Sequence, residues 1–128
     1  MSFIVLDASV LMAIILQEPI DPKAAVLLEG EKLVSTVNYS ETLAKMCLRN
    51  MDFEFASKKI SSLKLSIVTF TEHHASLAAK MITTTRAKGL SFADRACLAL
   101  AKEQQIPALT ADMAWKDIDV GVDIVLVR

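Results

Sequence analysis

Apolar positions fall into short runs with strand character, separated by longer stretches with helical period. "SFIVL" (Ser2–Leu6) is apolar and rich in β-formers and predicts a buried strand. Ala8–Gln17 reads as a helix ended by Glu18-Pro19. Asp21-Pro22 opens a second helix, with Asp as N-cap and Pro at the first position, and Gly30 stops it. Leu33–Thr36 predicts a second strand. Asn38 is expected to cap a helix through Arg49, and Asp52 to start another ending near Ser61. "LSIVTF" (Leu65–Phe70) is a third strand. Thr71 is expected to cap a long helix ending near Lys88-Gly89, and Ser91 opens one through Gln104. "IPALTA" and "VDIVLV" give the fourth and fifth strands, with Pro107 at a strand start where a missing donor is tolerated.

Strands alternate with helices, and no tight hairpin joins successive strands. That order predicts a three-layer α/β/α sandwich around a parallel sheet of four or five strands. Function in such sheets gathers at the carboxyl ends of the strands.

Composition sharpens this picture. The chain has 128 residues, 53% of them hydrophobic, which predicts one domain, residues 1–128, with a sizeable core. Net charge is −1, so no global basic field draws in nucleic acid, and local patches would have to hold such a partner. No apolar run is long enough for a bilayer, and no signal peptide is read, which makes the cytoplasm the expected location. Cys47 and Cys97 lack a CxxC partner and read as structural thiols of a reducing compartment. His73 and His74 stand at no zinc-ligand spacing and read as surface or helix-start residues.

Four acids fall where this fold collects chemistry. Asp7 follows the first strand, and Asp112 follows the fourth. Glu41 and Asp94 are expected in the first turns of their helices. Each alone suits a capping role: Ser91-x-x-Asp94 matches a capping box, Asn38-x-x-Glu41 imitates one, and acids at helix starts complement the macrodipole. As a set they are a liability, because two carboxylates about 4 Å apart repel by roughly 4 kcal/mol at an effective dielectric of 20. Oxygen-only ligation by carboxylates suits Mg²⁺ or Mn²⁺. Acids on a divalent ion without a nucleophile triad point to metal-activated water and phosphodiester hydrolysis.

The segments "VLDASVLMAIILQE", "NYSETLAKMCLRN" and "KGLSFADRACLALAKEQQIPALTADMAW" resemble the PIN-domain ribonucleases, in particular the VapC-type toxins of toxin–antitoxin pairs. The resemblance runs from Phe3 to Trp115 in the family's order. It implies Asp7, Glu41, Asp94 and Asp112 as catalytic ligands of one or two Mg²⁺ or Mn²⁺ ions. It also implies Ser9 and Thr110 as polar helpers and Asp117 as an outer carboxylate. It further implies homodimers, an RNA substrate with transfer RNA among the candidates, and a cognate antitoxin whose tail blocks the cleft, often with an arginine.

Lys45 and Arg49 follow Glu41 at i+4 and i+8 and share its helix face. With Arg86, Lys88, Arg95 and Lys116 they are the candidate phosphate contacts. Tyr39 and Trp115 flank the expected cleft and suit packing, with base stacking as the alternative. Apolar surface near Phe53, Phe55, Ile60 and Leu63 is the expected dimer face. Rival phosphate chemistries do not fit: a haloacid dehalogenase needs a second Asp where Ser9 stands, and a response-regulator receiver needs an acidic pair and a late Lys. A DNA-acting or RNA-processing PIN nuclease, or a non-catalytic module whose acids only cap helices, are the remaining alternatives.

Overall fold

The computed structural model describes residues 2–128. Five strands form a single sheet: β1 (Phe3–Leu6), β2 (Glu31–Ser35), β3 (Ser66–Val68), β4 (Ala108–Thr110) and β5 (Ile124–Leu126). Their order is β3-β2-β1-β4-β5, and every pairing is parallel. The helices are α1 (Ala8–Ile15), α2 (Pro22–Leu27), α3 (Thr36–Leu48), α4 (Phe53–Ser61), α5 (Glu72–Lys80), α6 (Ile82–Thr85) and α7 (Phe92–Gln104). The expected α/β/α sandwich is therefore present, with five strands.

Alternation along the strands builds the layers. Ile4 and Leu6 of β1 pack with Val10 and Leu11 of α1, Val34 and Leu109 on one face. Val5 points to the other face, against Cys97, Leu98 and Ala101 of α7 and Ala108 of β4. A third cluster joins α1, α3 and α4 through Met12, Met46, Ala56 and Ile60. Period two in the strand thus feeds two helical layers, the pattern of a sheet buried on both sides.

Gly30 admits the close approach at the sheet's amino edge. A Cβ there would stand 2.6 Å from the Ser2 carbonyl oxygen. That carbonyl accepts from Glu31 N–H at 2.8 Å, which sets the register of β2 on β1.

Several boundaries differ from the sequence reading. Ser35, not Asn38, caps α3, its hydroxyl accepting from Val37 N–H at 3.2 Å. The helix thereby gains residues upstream, and Glu41 moves out of the first turn. The expected long helix after Thr71 breaks at Met81 into α5, α6 and a 3₁₀ turn (Arg86–Lys88), which ends on left-handed Gly89. Its β-branched Ile82-Thr83-Thr84-Thr85 run is poor helix sequence, which accounts for the break.

His74 stands at a helix start, one of the two readings from the sequence, but it is buried rather than on the surface. Its Nδ1 accepts from Thr71 N–H at 3.3 Å, while Thr71 Oγ1 accepts from His74 N–H, a capping box with histidine in the place of Glu or Gln. Its Nε2 donates to Glu103 at 2.6 Å, and that bond holds the Glu103 carboxyl below its usual range. Cys97 is buried as expected, but Cys47 is exposed on α3.

Candidate active site

The sheet order places a topological switch beside β1: the chain runs outward through β2 and β3, then returns to β4 on β1's other flank. The carboxyl edge at such a switch is where open α/β sheets bind ligands. Asp7 and Asp112 leave the sheet there, from adjacent strands, and Asp7 N–H donates to the Leu109 carbonyl at 3.1 Å.

Asp7 occupies the N-cap position of α1, yet its carboxylate makes no capping bond. Instead Oδ2 accepts from Ser9 Oγ at 2.7 Å and from Thr110 Oγ1 at 3.0 Å. Both hydroxyls are themselves acceptors: Ser9 from Ala111 N–H at 2.9 Å, Thr110 from Asp112 N–H at 3.1 Å. Their protons are thus directed at Asp7, and the 3.3 Å contact between the two hydroxyls needs no hydrogen. The backbone of the segment after β4 fixes the hydroxyls, and the hydroxyls fix one oxygen of Asp7. Among the described residues, no group bonds the other oxygen.

Only 3% of Asp7 is exposed. Burial pushes its carboxyl up to about 6; the Ser9 bond opposes this, the Asp94 charge adds to it, the Thr110 bond opposes, and the Glu41 charge adds. Asp94 and Glu41 are therefore close enough to act on Asp7 through space. The same three acids bear on Cys97 beneath them, whose thiol is pushed up chiefly by burial and then by Asp7, Asp94 and Glu41.

Asp94 is the third helical residue of α7, and its Oδ2 accepts from Ser91 N–H at 2.9 Å, completing the expected capping box. Glu41 lies in the second turn of α3 and is half-buried. Asp112 is exposed; its Oδ1 accepts from Ala114 N–H at 2.9 Å and caps a 3₁₀ turn (Met113–Trp115). The structure thus couples Asp7, Glu41 and Asp94 electrostatically and brings Asp112 alongside through Thr110. Asp117 is exposed in a left-handed conformation, φ 68°, and joins none of these bonds.

Asn38 was missed as a site residue because Asn at that spacing imitates a cap. It is fully buried in α3, and its Nδ2 donates to the Ala93 carbonyl at 2.9 Å. This bond ties the helix of Glu41 to the start of the helix of Asp94. No sequence signal separates a buried crosslinking Asn from a capping one.

Among the described residues, no three His, Cys, Asp or Glu side chains stand close enough to enclose a metal ion as they are. The donor set nevertheless fits a hard divalent cation. It is all oxygen, its buried member has a free oxygen, and no Lys or Arg among the described residues pairs with any of the four acids. Asp112 is exposed and Glu41 and Asp94 are half-buried, so all three carboxylates are open to ions from solvent.

The basic residues divide. Lys45 and Arg49 line a cleft of about 520 Å³ with Ser9 and Asp112, so the α3 face leads from the acids into open space. Arg128, not singled out by the sequence, lines it too. Arg86, Lys88 and Lys116 are exposed and line no part of it. Arg95 is folded back, its Nη1 donating to the Leu90 carbonyl at 3.2 Å, which makes it a brace for the turn before α7 rather than a free cation. Trp115 is fully buried in the cluster under α7, so it packs and cannot stack on a base. Tyr39 is half-buried between two clusters.

A parallel α/β/α sandwich with an acid-lined carboxyl edge defines a class of domains suited to phosphodiester chemistry. The chain belongs to the PIN domain family, whose model matches residues 4–121; the family is one of nucleases. Its fold is shared by VapBC from Salmonella typhimurium, solved bound to DNA, at a TM-score of 0.79 and 14% identity, covering 100% of both chains. VapBC2 from Rickettsia felis, bound to a promoter DNA fragment, gives 0.77 and 16%, covering 98% of this chain and 99% of that one. VapC20 from Mycobacterium tuberculosis, a toxin that cleaves the sarcin-ricin loop, gives 0.68 and 18%, covering 86% and 90%. No curated protein matches the chain by sequence.

Proposed function

We propose that residues 1–128 form one Mg²⁺- or Mn²⁺-dependent endoribonuclease domain, the VapC-type toxin of a toxin–antitoxin pair. The observation that carries the reading is Asp7: a buried carboxylate with one oxygen clamped by two hydroxyls, two further acids acting on it, and, among the described residues, no Lys or Arg paired with any of the three. A group pushed up to about 6 by its surroundings is costly to keep ionised at neutral pH. A divalent ion offsets that cost, and such costs are characteristic of functional sites.

Asp7, Glu41, Asp94 and Asp112 would hold the ion, which when bound supplies a water of lowered pKa and neutralises charge on the phosphodiester. Ser9 and Thr110 orient Asp7. The capping bonds of Asp94 and Asp112 leave one oxygen of each for the ion. Asp117 has no role beyond an outer carboxylate in this reading. Lys45 and Arg49 would take phosphates of the RNA entering from the α3 side, and transfer RNA is among the candidate substrates. Of the other basic candidates, Arg86, Lys88 and Lys116 would contact phosphates only farther along a long RNA.

The VapBC neighbours support an antitoxin partner for this chain; in this reading its tail would sit over the acid cleft. Exposed Phe53 and Phe55 on α4 support a homodimer through that helix. Among the described residues, no helix is long and apolar enough to cross a membrane, and we place the pair in the cytoplasm.

Purified wild type should cleave RNA with Mg²⁺ or Mn²⁺ and stop in EDTA, and Asp7→Asn and Asp94→Asn should both lose at least a hundredfold. Cleavage of DNA but not RNA would favour a DNA-acting relative. Absence of any cleavage by a folded, metal-loaded wild type would leave a binding module.

A further inference from the structure

We propose that the cleft between α1 and α3 is a subsite for one unpaired nucleotide of a single-stranded RNA, next to the bond that is cut. The inference deepens the ribonuclease reading and rests on it. The cleft opens directly from the acids, since Ser9 and Asp112 are part of its wall. Its volume, about 520 Å³, is within the range of small-ligand sites, which run from about 300 to 1,000 Å³, and too small for a duplex.

The lining of the cleft combines two chemistries. Lys45, Arg49 and Arg128 bring three cations, in a chain whose net charge is −1. Met12 of α1, Leu16 just after it and Leu48 of α3 bring apolar surface. Leu48 is 83% exposed, one helical turn from Lys45 and beside Arg49, so an apolar contact stands open within reach of the cations. A nucleotide suits both chemistries: its phosphate takes the cations and its base the apolar residues. Paired bases in a duplex hide their faces, so the apolar residues select unpaired RNA.

Arg128 is held ready by a second carboxylate. Its Nη2 donates to Glu18 at 3.1 Å and its Nη1 to the Pro19 carbonyl at 3.3 Å, and Glu18 lines the same cleft. Two of the guanidinium's five donors are thereby used, and the rest are free for phosphate. Glu18 positions the arginine while opposing the anion beside it. Neutralising Glu18 keeps the side chain's shape and removes the opposing charge.

The test is fluorescence anisotropy of the full chain with a short labelled single-stranded RNA of mixed sequence, in EDTA so that nothing is cut, over a series of salt concentrations. Lys45→Ala, Arg49→Ala and Arg128→Ala should each weaken binding several-fold and lower the salt slope by about one. Leu48→Ala should weaken it roughly three- to tenfold with no change of slope, the signature of lost apolar contact. Glu18→Gln should tighten it. With Mn²⁺ present, the same cation variants should raise KM and leave kcat near wild type. All are surface substitutions, and circular dichroism checks their folding.

Unchanged affinity in the three cation variants, or duplex RNA binding as tightly as single-stranded, overturns the subsite. So does an acidic peptide that binds at these residues while RNA does not, which would assign the cleft to a protein partner. Any of these results with metal-dependent RNA cleavage intact removes the subsite and leaves the nuclease reading standing; loss of wild-type cleavage removes that reading instead.

Discussion

Asp7 concentrates the physical tension of the molecule. Its carboxyl ionises at about 6 in the fold against an ordinary value of 3.8. A raised acid destabilises the fold when ionised, so the sign is the reverse of a salt-bridged aspartate. In metal-free protein this group's contribution should be most favourable below about pH 4, decline as the pH rises from 4 to 6, and level off above that. At about 1.4 kcal/mol per pKa unit the penalty at neutral pH is on the order of 3 kcal/mol. Asp7→Asn should therefore raise the melting temperature at pH 7.5 in EDTA by several degrees and do much less at pH 4.5; thermal melts at the two pH values check it. A lower Tm for Asp7→Asn at pH 7.5 would show that its ionised form is already compensated within the protein.

The candidate acids were legible residue by residue, since each is an acid just after a strand or near a helix start. The hydroxyls on Asp7 were not derivable from spacing. Thr110 and Asp7 are distant in the chain, and only the pairing of β1 with β4 brings them together.

At the scale of elements, capping chemistry both helped and misled. Ser91-x-x-Asp94 does close a capping box, and Asp21-Pro22 and Asp52 do start α2 and α4. Asn38 is the same kind of signal with a different outcome, because Ser35 three residues upstream was free to cap α3 instead. His74 hid its role in the same way: a histidine at the third helical position can accept a backbone N–H only if its ring is neutral at Nδ1.

These local rules are decided by which backbone groups lie nearby in the fold. Two outcomes follow. Ser91→Ala removes the hydroxyl that accepts from Asp94 N–H and should cost about 1 kcal/mol in urea denaturation. Asn38→Leu removes the bond between α3 and α7, and should cost about 1–3 kcal/mol while lowering Mn²⁺ affinity, because Glu41 and Asp94 lose their common anchor. Calorimetry beside the denaturation curve separates the two effects. Destabilisation with unchanged Mn²⁺ affinity would restrict Asn38 to packing.

For the whole molecule, the alternation of strands and helices sufficed to predict a parallel sheet with covered faces. Strand order was not predictable from that pattern, and it is the order that matters. All carboxyl ends of a parallel sheet share one edge, but only with β4 beside β1 do the acids after these two strands become neighbours there. The same scale carries the assembly. Phe53 and Phe55 are 53% and 55% exposed, and Ile60 on the same helix is already buried in the core, so α4 has apolar surface to spare. Light scattering at micromolar concentration should give a dimer, and Phe53→Ser with Phe55→Ser should give a folded monomer; a wild-type monomer would contradict the dimer.

The proposed divalent-cation site at the carboxyl edge, built on Asp7, is decided by calorimetric titration of Mn²⁺ into wild type, Asp7→Asn and Asp52→Asn. Asp52 caps α4 and makes its bond to Phe55 N–H outside the acid group, so it controls for the loss of any one negative charge. Wild type and Asp52→Asn should bind Mn²⁺ alike, and Asp7→Asn should bind at least tenfold more weakly. Equal binding by all three proteins, or none by wild type at millimolar Mn²⁺, would contradict it.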